Sequence, residues 1–249
     1  MRIVVVSDIH GNLEALDAVL SDAARNGYDH LVCLGDVVGY GADPQACADK
    51  IREVASKDER GRGMIVRGNH DDAASGGGDE YFNPNARMAV RWTREQLDAE
   101  TIDWLAQLPM SLVFQELFLV HSSPYRPRDW DYVTTREDAL MAFKSFGQQI
   151  ALIGHSHVPF HVSIGRDLAG LELHAGEHLA LDDSRRYLSN VGSVGQPRDG
   201  DPRASYVIVD SGIRCIERIR VAYPIDTAAG KIREAGLPEF LADRLLKGR

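Results

Sequence analysis

Five short stretches of the chain are rich in side chains that bind metal ions. They are Asp8-Ile9-His10, Gly35-Asp36, Gly68-Asn69-His70-Asp71, His121 and Gly154-His155-Ser156-His157. Carboxylate, imidazole and amide oxygen together suit a divalent ion such as Mn, Fe, Zn, Co or Ni. One ion cannot use so many ligands. We therefore predict two divalent metal ions roughly 3.5–4 Å apart, bridged by a carboxylate, and Asp36 is the natural bridge.

Each stretch taken alone is weak evidence for a metal site. An aspartate or histidine at the end of a strand more often caps a helix or satisfies loop amides, and Asp8 and Asp36 could each be an N-cap. The argument for chemistry rests on all five stretches meeting at one place.

The elements that must position these residues alternate between strand and helix. Short apolar runs at residues 3–6, 31–34 and 64–66 predict buried strands. Helical patterns follow the first two, over residues 13–24 and from an Asp43 N-cap onward. This order predicts a parallel sheet with right-handed crossovers, whose carboxyl ends gather the motif loops into one crevice.

The rest of the chain predicts further helices and a second group of strands. A helical insertion is expected at approximately residues 80–110, and a C-terminal helical segment at approximately 226–249. Between them we predict a hairpin over 112–120, a helix over 135–146 and a buried strand over 150–153. Alternation of apolar and polar residues over 160–219 predicts antiparallel strands of a second sheet.

Composition and charge narrow the class of protein. The 249 residues are 44% hydrophobic and 26% charged, as in ordinary globular proteins. A net charge of −9 gives no reason to expect non-specific binding to nucleic acid or an anionic membrane. Cys33, Cys47 and Cys215 form no metal or disulfide pattern and suit a reducing cytoplasm. No stretch is long enough to predict a membrane span.

The motifs resemble the signature of the calcineurin-like metallophosphoesterases. The matching stretches are Asp8-Ile9-His10-Gly11-Asn12, Gly35-Asp36-Val37-Val38, Gly68-Asn69-His70-Asp71 and Gly154-His155-Ser156-His157. Residues 190–198 are similar to a segment of the small bacterial phosphodiesterase members. The resemblance implies an α/β fold, a four-layer αββα sandwich of two packed mixed β-sheets flanked by helices. With no linker or charge block in the sequence, we expect one domain over 1–249.

The resemblance also implies a role for each matching residue. It assigns the first metal to Asp8, His10, Asp36 and His157, and the second to Asp36, Asn69, His121 and His155. A hydroxide bridging the two ions would attack phosphorus, and the catalytic His70 would protonate the leaving oxygen. These roles agree with general chemistry, because a metal lowers the pKa of bound water towards ~7 and imidazole titrates in a useful range.

The second motif departs from that of the protein phosphatases in this family. The aspartate that would orient His70 and the arginine that would bind phosphate are replaced by Gly39 and Tyr40. Arg67 does match the arginine that precedes Gly-Asn-His in that branch, so the resemblance makes it a candidate for phosphate binding, and guanidinium suits bidentate contacts. Arg198 is a second, weaker candidate. The tentative substrate-binding residues are Arg67, Asn12, Tyr40 and Arg198.

We predict hydrolysis of phosphoesters, with phosphodiesters favoured because the protein-phosphatase arginine and aspartate are absent. A phosphomonoesterase or protein phosphatase is the alternative within the family. A non-catalytic metal-binding interaction scaffold with the same fold is the alternative outside enzymes. The expected partner is a small phosphorylated substrate, with nucleic acid only as a possible substrate, and the sequence predicts no particular oligomeric state.

Overall fold

The computed structural model describes residues 1–57 and 63–249, which contain both strands and helices. The strands are β1 (Arg2–Val6), β2 (His30–Cys33), β3 (Ser111–Phe114), β4 (Leu117–Val120), β5 (Ile150–Ile153), β6 (Phe160–Gly165), β7 (Glu172–His174), β8 (His178–Ala180), β9 (Arg185–Asn190), β10 (Ala204–Asp210) and β11 (Cys215–Val221). The helices are α1 (Leu13–Asn26), α2 (Pro44–Val54), α3 (Asn69–Ala74), α4 (Pro84–Gln96), α5 (Ala99–Gln107), α6 (Arg136–Phe143), α7 (Ile225–Glu234) and α8 (Glu239–Lys247).

The strands form two mixed sheets. The first sheet has the order β2-β1-β10-β11-β8, and the second has the order β3-β4-β5-β9-β6-β7. β1 runs parallel to β2, and β5 runs parallel to both β4 and β9. Each sheet therefore contains neighbouring parallel strands whose carboxyl ends lie at the same edge.

Three clusters of buried side chains define four layers. Val5 of the first sheet and Leu152 of the second belong to one cluster, which fills the space between the sheets. The opposite face of the first sheet, including Val4, packs with Leu16 of α1 and with α2, α7 and α8. The outer face of the second sheet packs on Phe143 of α6. The predicted fold of two mixed sheets flanked by helices is confirmed.

Local sequence explains how the first two helices begin. The Asn12 side chain accepts a hydrogen bond from the Ala15 amide at 3.1 Å, which satisfies one free N–H of the first turn of α1. Asp43 does occupy the N-cap position of α2, but its side chain makes no cap hydrogen bond. It instead accepts from Lys231 Nζ at 2.8 Å and so ties α2 to α7.

Two sequence predictions about strands are corrected. Residues 64–66 do not form a full strand, and their pairing with β2 is limited to one parallel bridge between Cys33 and Ile65. The pairing ends there because the chain turns away, and the Arg67 amide donates a hydrogen bond to Pro109 O instead. Residues 160–219 do not form one antiparallel sheet. β8, β10 and β11 join the first sheet, and β9 pairs parallel with β5.

The predicted hairpin over residues 112–120 is confirmed as β3 and β4, and the predicted insertion consists of α4 and α5. Within residues 1–57 and 63–249, no helix has both the length and the apolar character needed to span a bilayer.

Candidate metal centre

The candidate ligands follow strand ends in both sheets. Asp8 comes two residues after β1, and Asp36 comes three residues after β2. His121 directly follows β4, and His155 comes two residues after β5. Within each sheet these strands are parallel, so the ligands follow the same edge of that sheet. The packing of the two sheets on each other then brings the two edges together.

Most of these residues have a left-handed backbone. Asp8, His10, Asp36, His155 and His157 have φ between 51° and 65°. This conformation is uncommon for residues other than glycine and concentrates at functional sites, where the surrounding structure holds it in place. The backbone at these positions therefore does not continue a helix or a strand, and it directs the ligand side chains towards one another.

The glycines that precede the ligands serve two different purposes. Of Gly35, Gly68 and Gly154, only Gly35 has a positive φ, of 92°, which permits a sharp turn after β2. At Gly68 an added Cβ would lie 2.1 Å from Asp36 Oδ1, and at Gly154 it would lie 2.4 Å from Asp8 Oδ2. These two glycines are required because the ligand carboxylates approach their backbone closely.

The buried ligand atoms form linked groups. Asp8, His10 and His157 form one group, Asp36, His121 and His155 a second, and His10, Asp36 and His70 a third, each with ligand atoms within 4.8 Å of one another. Asn69 Oδ1 lies 3.2 Å from His121 Nε2 and so joins the second group. The eight residues that the motifs singled out are therefore brought together.

Asp36 lies between the two sides of this cluster. Its Oδ2 atom is 3.5 Å from His10 Nε2 and 3.4 Å from His121 Nε2. Its Oδ1 atom accepts a hydrogen bond from the His70 amide at 2.8 Å, which fixes the carboxylate plane. One oxygen is thus positioned by the backbone, and the other faces ligands from both groups.

Backbone carbonyl groups orient the imidazole rings. The Nδ1 atoms of His10, His121 and His157 lie 3.1, 2.8 and 2.6 Å from the carbonyl oxygens of Val38, Leu34 and Gln196. Since a carbonyl only accepts, each Nδ1 carries a proton, and a neutral ring then presents the lone pair of Nε2 to the centre. His155 is reversed, because its Nε2 atom bonds Trp130 O at 2.8 Å and Nδ1 is left for the centre.

This arrangement fits bound cations. The Nε2 atoms of His10 and His157 are only 3.1 Å apart, although both Nδ1 atoms donate elsewhere. Two neutral rings would direct lone pairs at each other, and a cation beside both nitrogens removes that repulsion. Asp8 Oδ1 is also buried without a hydrogen-bond partner, 3.2 Å from His157 Nε2.

Burial and neighbouring charges shift the titration of the cluster. Burial lowers the pKa of His155 to about 3, and it also lowers the pKa of His10 and of His157. Burial opposes protonation of His121 as well, but the carboxylates of Asp36 and Asp8 outweigh it and raise the pKa of His121 to about 9. The two buried carboxylates thus attract positive charge to the position between them.

The ring of His70 is held by packing. Its centroid lies 4.3 Å from that of Tyr40, 4.7 Å from that of Phe82 and 4.8 Å from that of His10. Its Nδ1 atom is buried and has no hydrogen-bond partner among the described residues. Burial lowers the pKa of His70 to about 4, which favours the neutral ring. Gly39 lies beside Nδ1, at the position where the resemblance leads one to look for an aspartate.

The family model of the calcineurin-like phosphoesterase superfamily domain matches residues 1–212 of the chain. The chain belongs to this family. Its members are metal-dependent phosphoesterases, in agreement with the clusters of histidine and aspartate described above.

Relatives of this calcineurin-like phosphoesterase are found in archaea and bacteria. The chain is 39% identical to the uncharacterised protein MJ0912 of Methanocaldococcus jannaschii, with 99% of this chain and 98% of that protein covered. It is 25% identical to phosphodiesterase YfcE of Escherichia coli K12, with 86% and 89% covered. Among solved structures, a metallophosphoesterase from Sphaerobacter thermophilus is 40% identical, with both chains fully covered (100% each) and a TM-score of 0.86.

Asp71 connects two motif loops, a role that the sequence did not suggest. Its carboxylate accepts hydrogen bonds from the amides of Asp36, Val37, Val38 and Gly68 at 2.8 to 3.2 Å. One buried side chain therefore sets the spacing between the Gly-Asp loop and the Gly-Asn-His loop.

The segment 190–198 supports the centre from the other side. The amide of Asn190 donates to Ser156 Oγ at 3.0 Å, next to two ligand histidines. Ser193 Oγ donates to Asp8 O at 2.8 Å, and the Gln196 carbonyl orients His157. The segment thus braces the first and last ligand loops.

The four tentative substrate residues lie in different surroundings. Asn12 is buried, and its amide donates to Gly195 O at 2.8 Å while its oxygen caps α1. Arg67 donates to Leu108 O and pairs with Asp72 at 2.9 Å. The described contacts of Arg67 therefore tie it to the helical insertion rather than to the ligand cluster.

Tyr40 and Arg198 do lie beside the ligands. The ring of Tyr40 is 4.5 Å from that of His10, and the Arg198 guanidinium lies 5.6 Å from the Tyr40 ring. Arg198 also donates to Gln196 Oε1 at 2.8 Å. We call the paired rings of Tyr40 and His10 the aromatic wall of the centre, and the Arg198 guanidinium lies next to it.

Two residues near the site carried no recognisable sequence signal. Tyr132 stacks on the ligand His155 with ring centroids 4.2 Å apart and an interplanar angle of 12°. Arg244 of α8 is close enough to Arg198 that burial and this second guanidinium lower the pKa of Arg244 to about 10. Both reach the site only through the tertiary fold, and no motif marks them.

Proposed function

We propose that this chain hydrolyses phosphodiesters with two divalent cations held by the buried ligand cluster. The observation that carries the proposal is the position of Asp36 Oδ2, within 3.5 Å of His10 Nε2 and 3.4 Å of His121 Nε2. A carboxylate oxygen between two ligand groups is what a bridged pair of ions requires.

The residues divide into two ligand sets that share Asp36. Asp8, His10 and His157 with Asp36 would hold one cation, and Asn69, His121 and His155 with Asp36 would hold the other. Mixed nitrogen and oxygen donors suit Mn, Fe, Zn, Co or Ni. When bound, such a pair supplies activated water at neutral pH and neutralises charge on the phosphate oxygens.

His70 is our candidate for the proton donor to the leaving oxygen. Its ring packs against His10 and Tyr40 at the ligand cluster, and its amide bonds Asp36. Transfer of a proton requires the ring to be protonated first, which the Asp36 carboxylate favours, whereas the neutral ring can donate a hydrogen bond to that oxygen as negative charge develops on it.

The preference for diesters follows from the groups that face the phosphate. A monoester carries up to two negative charges near neutral pH, whereas a diester carries one. Gly39 and Tyr40 stand where a protein phosphatase has its aspartate and arginine, so those two groups are not present to bind a dianionic phosphate. The relative in E. coli that is named a phosphodiesterase supports the same class.

Purified protein, stripped of metal and supplemented with manganese, tests the proposal. We expect it to hydrolyse bis-p-nitrophenyl phosphate faster than p-nitrophenyl phosphate, with the activity lost in His121→Ala and kept in His178→Ala, a change at an exposed histidine. Faster monoester hydrolysis would favour a phosphomonoesterase. Metal binding without hydrolysis of either compound would favour a non-catalytic scaffold.

A further inference from the structure

A cavity of about 670 Å³ opens beside the metal centre, on the side of the second sheet. Its walls come from the loop before α6, the first turns of α6, the loop after β5, strand β6 and the segment around β7. The apolar part of the lining consists of Val133, Ala139, Val158, Phe160, Val162, Leu171 and Leu173. We call this the apolar cavity.

The apolar cavity lies next to the candidate centre. Ser156, on its wall, lies between the ligands His155 and His157 in the chain. Tyr132, also on its wall, stacks on the ring of His155 at 4.2 Å. The ligand cluster and the cavity are therefore neighbours, with Ser156 and Tyr132 at their boundary.

Two cationic side chains, those of Arg136 and Arg198, belong to the lining of the apolar cavity. Arg198 lines the cavity and also lies over Tyr40, so its guanidinium stands between the apolar lining and the aromatic wall of the centre. An anionic group near Arg198 and an apolar group further in would match this distribution of charge. A large apolar recess with a few polar groups at one side is typical of small-molecule sites.

Two apolar side chains of the cavity are exposed to solvent. Leu173 of β7 is 72% exposed, and Val158 is 41% exposed. Leu173 pairs in register with Val162 of β6, so the two residues mark one edge of the cavity. Contact of such side chains with an apolar ligand removes this surface from water, which favours binding in proportion to the area covered.

We propose that the apolar cavity binds an apolar ester group of the phosphodiester substrate, an aromatic or aliphatic alcohol rather than a sugar or a charged group. This inference rests on the proposed function, since it places the phosphate of the same substrate at the ligand cluster. It assigns Leu173, Val158 and Tyr132 to the recognition of that group.

The test compares two diesters with the same leaving group, methyl p-nitrophenyl phosphate and hexyl p-nitrophenyl phosphate, on manganese-supplemented protein. We expect kcat/KM to be at least about tenfold higher for the hexyl ester, because several methylene groups leave water. Leu173→Asp should reduce that preference by about tenfold. Ile213→Asp is the matched control, because Ile213 is 75% exposed and lies outside the cavity lining, and it should leave both values unchanged.

A binding measurement separates failure of this inference from failure of the proposed function. Calorimetric titration with hexylphosphonate and methylphosphonate should show tighter binding of the hexyl compound, weakened by Leu173→Asp, even if neither diester is hydrolysed. Equal affinity and equal kcat/KM for the two chain lengths would overturn the inference. The inference would also be overturned if the protein showed no chain-length preference but formed a concentration-dependent dimer that Leu173→Asp abolishes, because the exposed apolar residues would then serve self-association.

Discussion

At the scale of single residues, the candidate centre depends on strain and close approach that only certain residue types tolerate. Asp36 has a φ of 52°, and its Oδ1 atom leaves no room for a side chain at Gly68. The residue types at these positions could be predicted, because motif residues at strand ends are a local pattern. Tyr132 and Arg244 could not, because nothing in their local sequence marks contact with a site built far away in the chain.

Replacement of His70 should separate proton donation from metal binding. We expect His70→Ala to lower kcat by about 10²- to 10⁴-fold for diesters with poor leaving groups, and much less for p-nitrophenyl esters, which need little proton donation. Steady-state kinetics on both substrate types and elemental analysis check this. His70 lies in one group with His10 and Asp36, so a loss of metal in the variant would show that His70 is a metal ligand rather than a proton donor.

Gly39 should be needed for the position of the His70 ring. A Cβ at residue 39 would lie 2.4 Å from His70 Nδ1, so Gly39→Ala should displace the ring and lower kcat by roughly 100-fold. Gly76→Ala is the control, since Gly76 also has a positive φ but no atom within 4 Å of an added Cβ. Both variants should lose about 1 kcal/mol of stability from the backbone conformation. Equal turnover in the two variants would contradict this reading of Gly39.

At the scale of elements, the helices and the strands that are close in sequence followed from periodicity, whereas the pairing of distant strands did not. α1 and the hairpin of β3 and β4 were predictable because their patterns are local. The position of β10 between β1 and β11 was not, because alternation of residues specifies a strand but not its neighbour. Residues 64–66 failed as a strand for a similar reason, since the turn to Pro109 is a long-range contact.

Asp71 should be the main link between two ligand loops. Asp71→Asn would replace one accepting oxygen by an NH₂ group facing backbone amides, so we expect a loss of about 3 kcal/mol in the free energy of unfolding. Asp72→Asn, next in the chain and partly exposed in its pair with Arg67, should cost less than about 1 kcal/mol. Urea unfolding of both variants measures the difference, and similar losses would refute the role of Asp71.

His161 should make the second sheet sensitive to acid. It lies in β6 with Nδ1 2.9 Å from Ser189 Oγ, and burial, with Arg218 and His174 nearby, lowers the pKa of His161 to about 4 from 6.5. Since the unfolded chain binds this proton more readily, stability is lost as the pH falls from 6.5 towards 4. Between pH 7.5 and 5.0 the wild type should lose about 2 kcal/mol more than His161→Phe in urea unfolding. An equal loss in both proteins would contradict the assignment.

At the scale of the whole molecule, the candidate centre joins the two sheets. Asp8 and Asp36 follow strands of the first sheet, whereas His121 and His155 follow strands of the second. Apolar packing between the sheets, from residues such as Val5 and Leu152, brings these loops to one edge. Bound cations would therefore stabilise the contact between the sheets as well as support chemistry.

The most direct test of the account is the number of metal ions per chain. After loading with manganese and removal of the excess, elemental analysis should find two ions per chain in the wild type, because two ligand sets share Asp36. Asp36→Asn should hold one ion or none and lose diester hydrolysis, while Asp72→Asn should hold two. A single ion in the wild type, or two ions in Asp36→Asn with full activity, would contradict the bridged pair.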